Sequence, residues 1–86
     1  MKKFTFTIKD KNGLHARPAG MITSCAKKFK STVTVSLDGK EADAKRLLSL
    51  MSLGATCGKE LAFEIIGDDE IEALGELERV TKETLG

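Results

Sequence analysis

Three short runs of this chain alternate apolar and polar residues with a period of two. Phe4, Phe6 and Ile8 are interleaved with Thr5, Thr7 and Lys9; Val33, Val35 and Leu37 with Thr32, Thr34 and Ser36; Leu61, Phe63 and Ile65 form the third. Successive side chains of a strand point to opposite faces, so each run predicts a strand with one buried and one open face. A sheet of such strands needs cover on one side only, and the segments between them supply it. Ala19, Ile22, Ala26 and Phe29 recur at helical spacing, which predicts a helix over about 16–29, with Lys27, Lys28 and Lys30 near its C-terminal end where cations suit the dipole. Residues 45–53, rich in Leu and Met and closed by Gly54, predict a second helix. Ile71, Leu74, Leu77 and Leu85 give the apolar stripe of a third, opened by Asp69 and Glu72 at the spacing of a capping box and interrupted by Gly75. Asp38-Gly39 lies between extended runs and predicts a hairpin turn into a short, polar edge strand over 40–44. The order is βαββαβα. It predicts an α+β fold, an open-faced two-layer sandwich with one antiparallel sheet and three helices on one face.

At 86 residues the chain is expected to be one domain over 1–86, with a core that needs no metal or disulfide. Fourteen Lys and Arg against 13 Asp and Glu leave a net charge of +1, which argues against nucleic acid or a membrane surface as a partner. The distribution is uneven. Residues 1–30 hold eight basic residues and one acid, Asp10, whereas residues 60–86 hold nine acids and two bases, Arg79 and Lys82. A basic face in the first third fits an acidic partner. Cys25 and Cys57 are far apart, and a single His cannot complete a zinc site with them. Both read as small buried or half-buried hydrophobes of a reducing compartment, with no metal and no cofactor implied. Met1-Lys2-Lys3 leads into an alternating run rather than an apolar one, and no segment approaches membrane-spanning length. A cytoplasmic protein, not inserted in the membrane, is expected.

The chemistry concentrates in Gly13-Leu14-His15-Ala16-Arg17-Pro18-Ala19. Pro18 lacks an N–H and has φ near the helical value, so it fits the first turn of a helix beginning at about Ala16. His15, the only histidine, then stands at a helix N-terminus, where free N–H groups and the dipole favour an anion; Arg17 adds a fork of donors matched to phosphate oxygens. A histidine that carries phosphate is the chemistry this arrangement suggests.

The heptapeptide, with Asp38-Gly39-Lys40, Ala44-Lys45, Met51-Ser52-Leu53-Gly54 and Gly58, resembles HPr, the histidine-containing phosphocarrier family of the bacterial phosphotransferase system, over nearly the whole chain. The resemblance implies a sheet order of 1-4-2-3. It also implies a stoichiometric carrier, not an enzyme, that accepts a phosphoryl group from enzyme I, itself charged by phosphoenolpyruvate, and delivers it to IIA components of sugar permeases. His15 would be the acceptor through Nδ1, Arg17 would hold the phosphate oxygens, and the N–H groups of Ala16 and Arg17 would cap them. An apolar docking patch would comprise Met21, Leu47, Leu48 and Met51, with Lys27 and Arg17 as its basic rim and Ser52 at a contact position; Leu50 and Leu53 are expected inside. Arg46 stands where many Gram-positive relatives carry a regulatory serine, so no regulatory serine is expected here. A monomer is expected.

Other readings explain less. A metal chaperone of similar topology needs a CxxC near His15, and an RNA-recognition sheet needs exposed aromatics, whereas Trp and Tyr are absent. An acylphosphatase-like site would use the arginine but has no role for the histidine. Two alternatives remain open at this level: a carrier of a nitrogen-type regulatory branch, and a non-catalytic module that binds a small regulatory ligand.

Overall fold

The computed structural model covers residues 1–86. In chain order it contains β1 (Lys2–Thr7), α1 (Ala16–Lys27), β2 (Thr32–Leu37), β3 (Lys40–Asp43), α2 (Leu47–Met51), β4 (Glu60–Ile66) and α3 (Glu70–Leu85). The strands form one antiparallel sheet in the order β1-β4-β2-β3, as the family resemblance implied. Each alternating run keeps its predicted phase. Val33, Val35, Leu37, Leu61, Phe63 and Ile65 are buried beneath the helices, while Thr5, Thr7, Thr34, Ser36, Ala62 and Glu64 lie on the other face. The register sets Phe63 opposite Phe4 on one side and Val35 on the other, and the Phe4 and Phe63 rings stack with centroids 4.4 Å apart. Asp38 and Gly39 both have positive φ, the conformation of a tight two-residue hairpin turn.

The helices depart from expectation in instructive ways. α1 ends at Lys27 because the N–H groups of Lys28 and Phe29 reach back only three residues, to Cys25 and Ala26, tightening the last turn. The carbonyl beyond that turn, on Phe29, accepts from Lys45 Nζ at 2.8 Å, so a distant lysine rather than the local ones satisfies it. α2 is only five residues long, shorter than residues 45–53. Asp43 carbonyl and carboxylate hold the N–H groups of Arg46 and Lys45 in a turn before it. On α3 the expected stripe holds at Leu77 and Leu85, which are buried, and at Leu74, which packs against the core, and fails only at Ile71. Ile71 is 70% exposed, and Ala73, Leu77, Val80, Thr81 and Leu85 face the core, because small residues let the helix sit close to the sheet and α1. Cys57 is also exposed, in the loop before β4, whereas Cys25 is buried and burial pushes its thiol pKa up.

The start of α3 is a tertiary junction rather than a capping box. Asp69 makes no capping bond. Its carboxylate instead accepts the N–H of Lys30 at 2.8 Å, the N–H of Ser31 at 3.0 Å and the Ser31 hydroxyl. The residue that turns back is Glu70, not Glu72: it accepts the Gly67 N–H at 3.1 Å and the N-terminal ammonium of Met1 at 2.7 Å. Ser31 is buried against Gly67, where an added Cβ would lie 2.6 Å from the Ser31 Cα, so only glycine allows the two backbones to meet. One carboxylate thus ties the end of α1 to the start of α3.

Candidate functional site

At the opposite pole the chain from β1 to α1 is a folded loop. Asp10 accepts the N–H of Asn12 through its carboxylate at 2.8 Å and that of Gly13 through its carbonyl at 3.0 Å. Gly13 has φ +66°, and a Cβ there would stand 2.5 Å from the Ala55 carbonyl oxygen; that oxygen accepts the Leu14 N–H at 2.9 Å. Leu14 is buried, which drives the loop inward and leaves the next residue at the rim. The next residue is His15.

His15 occupies the N-cap position of α1 in extended conformation, and its side chain does not turn back to cap the helix. Its carbonyl accepts the Ala19 N–H at 3.0 Å, so the backbone of His15 is fixed while its half-buried ring borders a cleft. The N–H groups of Ala16 and Arg17 find no acceptor in the fold, and Pro18 at the third helical position has none to offer. The first turn contains no acid. Arg17 is exposed, and all five ion pairs of the protein lie elsewhere. The cleft, with a volume of about 460 Å³, is lined by Asp10, Asn12, His15, Arg17, Pro18, Met21, Glu83 and Thr84. The side chains of His15 and Arg17 thus border one opening, with the free N–H groups of Ala16 and Arg17 next to them in the chain, an arrangement suited to an oxyanion attached to or next to the ring.

The family model described as "PTS HPr component phosphorylation site" matches residues 2–83. This chain belongs to the HPr family of phosphocarrier proteins. The phosphocarrier protein HPr of Mycoplasma genitalium is 45% identical over 75 residues, which are 86% of this chain and 85% of that protein. Among solved structures, a mycoplasma histidine-containing phosphocarrier protein aligns with a TM-score of 0.95 at 31% identity, covering 98% of this chain and 96% of its own. The HPr of Thermoanaerobacter tengcongensis is 41% identical and aligns at 0.92 over 100% of this chain and 97% of its own, and at 0.78 in a structure solved as a dimer. The role these findings support is that of a phosphocarrier of the phosphotransferase system.

Among the residues expected to dock partners, Met21 shares the cleft with His15 and Arg17. α2 packs against α1, with Leu48 81% exposed, Leu47 at the margin of exposure and Met51 half-buried, while Leu50 and Leu53 are buried as expected. Lys27 is exposed, and helical spacing puts it on the same side of α1 as Ala16 and Gly20. Ser52 is exposed, and its hydroxyl donates to the Ser49 carbonyl at 2.6 Å. Arg46, the N-cap of α2, is exposed and makes no capping bond. Sequence reasoning missed the contribution of α3. Glu83 and Thr84 enter the cleft from the far end of the chain, and no pattern near His15 announces them.

Proposed function

We propose that this chain carries a phosphoryl group on Nδ1 of His15, taken from phosphorylated enzyme I and passed to IIA components of sugar permeases. The observation that supports it most is the open start of α1, where His15 stands beside two free N–H groups and the free guanidinium of Arg17. Nδ1 is the ring nitrogen nearer the backbone, so it is the one we assign to a phosphoryl group that the Ala16 and Arg17 N–H groups would cap. The imidazole lone pair attacks phosphorus, a P–N bond forms, and the bond to the donor breaks. The reverse exchange hands the group to the acceptor, and the chain returns unchanged, which makes it a stoichiometric carrier. The surrounding donors neutralise the phosphate, but from an exposed site in water their hold is modest, as onward transfer requires.

Met21, Leu47, Leu48 and Met51 serve as the apolar docking surface, with Arg17 and Lys27 as a basic rim for acidic partners and Ser52 at its edge. Arg46 offers no hydroxyl to a serine kinase and adds a fixed positive charge next to that surface. We propose that the carrier works as a monomer in the cytoplasm; the HPr of Thermoanaerobacter tengcongensis, 41% identical, has been solved as a dimer. No helix is long and apolar enough to cross a membrane.

The test is direct. Phosphoenolpyruvate with enzyme I is expected to place one acid-labile, base-stable phosphate on the chain, and His15→Ala is expected to take none. Equal labelling of His15→Ala would refute the assignment. Kinase and ATP are expected to yield no phosphoserine, and phosphate recovered on Ser49 or Ser52 would contradict the reading of Arg46.

A further inference from the structure

The cleft at His15 contains two acids as well as the cationic group an anion needs, and both acids are engaged elsewhere. Asp10 is turned into its own loop by the Asn12 N–H. Glu83, on the last turn of α3, is held by Arg79 one turn earlier, with Nη1 to Oε1 at 2.9 Å. The same guanidinium is gripped from its other side by Glu76, through Nε to Oε2 at 3.3 Å and Nη2 to Oε1 at 3.0 Å. Glu83 and Arg17 line two adjoining depressions together, the cleft of His15 and a groove between α1 and α3 that Arg79 and Lys28 also border. Glu83 is thus the carboxylate placed to compete with a phosphate for Arg17, and Arg17 is nevertheless unpaired.

We infer that Arg79 is a positioning residue for the phosphate site: clamped by Glu76, it withholds Glu83 from Arg17 and so keeps the Arg17 guanidinium available to the phosphoryl group. This rests on the phosphocarrier reading of His15, and it adds a residue of α3 that touches neither the phosphate nor the histidine. A carboxylate and a guanidinium attract one another even in water. An exposed pair of this kind is worth up to about 1 kcal/mol, which corresponds to a roughly two- to fivefold competition against an anion for the same arginine. Glu76 matters because two carboxylates on one guanidinium fix its plane, so that it presents a constant edge to Glu83.

The experiment uses the full chain labelled with nitrogen-15 and titrated with inorganic phosphate at low ionic strength, reading the Ala16 and Arg17 amide resonances. Arg79→Met keeps the apolar stem and removes the clamp, and phosphate affinity is expected to fall two- to fivefold. Arg79→Met with Glu83→Gln is expected to regain the parent affinity, although it too lacks the Arg79 ion pairs; a merely structural role for Arg79 would leave the double variant as weak as the single one. Equal affinity in all three proteins, an unrescued double variant, or no phosphate binding by the parent chain would overturn the inference. The titration needs no enzyme I, so its outcome is separate from the labelling test of His15.

Discussion

The two long helices begin in opposite ways. α3 starts at a carboxylate: Asp69 accepts three hydrogen bonds from Lys30 and Ser31, Glu70 takes the Gly67 N–H and the Met1 ammonium, and the first turn carries two acids. α1 starts at an imidazole that caps nothing, with no acid in its first turn and two N–H groups without acceptors. The arginines repeat the contrast, since Arg79 is locked between two glutamates and Arg17 pairs with none. The Ile71 and Glu72 N–H groups of α3 also lack acceptors, so free donors are common to both starts; the difference is that acids stand at α3, bound to neighbouring donors in a junction that holds the fold, and none stands in the first turn of α1. A helix N-terminus is anion-loving in either case. One start already has its anions, and the other is where we propose that a phosphoryl group is carried.

The strongest way to sharpen this contrast is to compare stability losses at the two poles. Ile65 is fully buried in β4, two residues before the Gly67 junction, and Ile65→Ala is expected to cost about 2 to 5 kcal/mol in chemical denaturation. His15→Ala should stay within about 0.5 kcal/mol of the parent, because nothing in the fold depends on that side chain; a loss as large as that of Ile65→Ala would break the comparison. Gly13→Ala comes next, at about 2 to 4 kcal/mol, since its φ is positive and its Cβ would collide with the Ala55 carbonyl. Its amide spectrum is expected to shift around His15 and Arg17 while leaving Ser31 and Asp69 in place.

Acid tests the α3 junction. The Ser31 hydroxyl, with the Lys30 and Ser31 N–H groups, holds the Asp69 carboxyl below its usual range, and the Met1 ammonium with the Gly67 N–H does the same for Glu70. A carboxyl whose folded pKa is depressed contributes stability that is complete above the ordinary carboxylate range and is lost as the pH falls toward the folded value. Asp69→Asn is therefore expected to be less stable than the parent at neutral pH and to lose less of its Tm between about pH 5 and about pH 3. Parallel pH profiles would show that the junction is not ionic. The smallest effect belongs to Thr81, whose hydroxyl is buried with no hydrogen-bond partner. Thr81→Val is expected to raise stability by about 0.5 to 1 kcal/mol, and a loss would mean that the hydroxyl is satisfied in solution.

The sheet was legible because period-two alternation depends only on which residues enter the core, and Asp38-Gly39 names its own turn. The start of α1 was legible for the same local reason, as Pro18 and the glycine turn act within a few residues. What escaped the sequence is what depends on distant partners. Ile71 looked like core by size yet is exposed near the start of α3, whereas the small Ala73 and the polar Thr81 are fully buried. Asp69 had the spacing of a cap, but Ser31, 38 residues away, offers it better donors. Glu83 and Thr84 reach the His15 cleft only because α3 returns across the sheet. Family resemblance supplied the strand order, which no local pattern could.

The central claim is that the free donors at the start of α1 receive a phosphoryl group on His15. Amide and imidazole resonances of the nitrogen-15-labelled chain, recorded before and after enzyme I and phosphoenolpyruvate are added, test it most directly. The account predicts a phosphorus coupling to His15 Nδ1 and downfield shifts of the Ala16 and Arg17 amides, with Ser31 and Asp69 unmoved. Phosphate on Nε2 or on another residue, with the Ala16 and Arg17 amides unchanged, would contradict it.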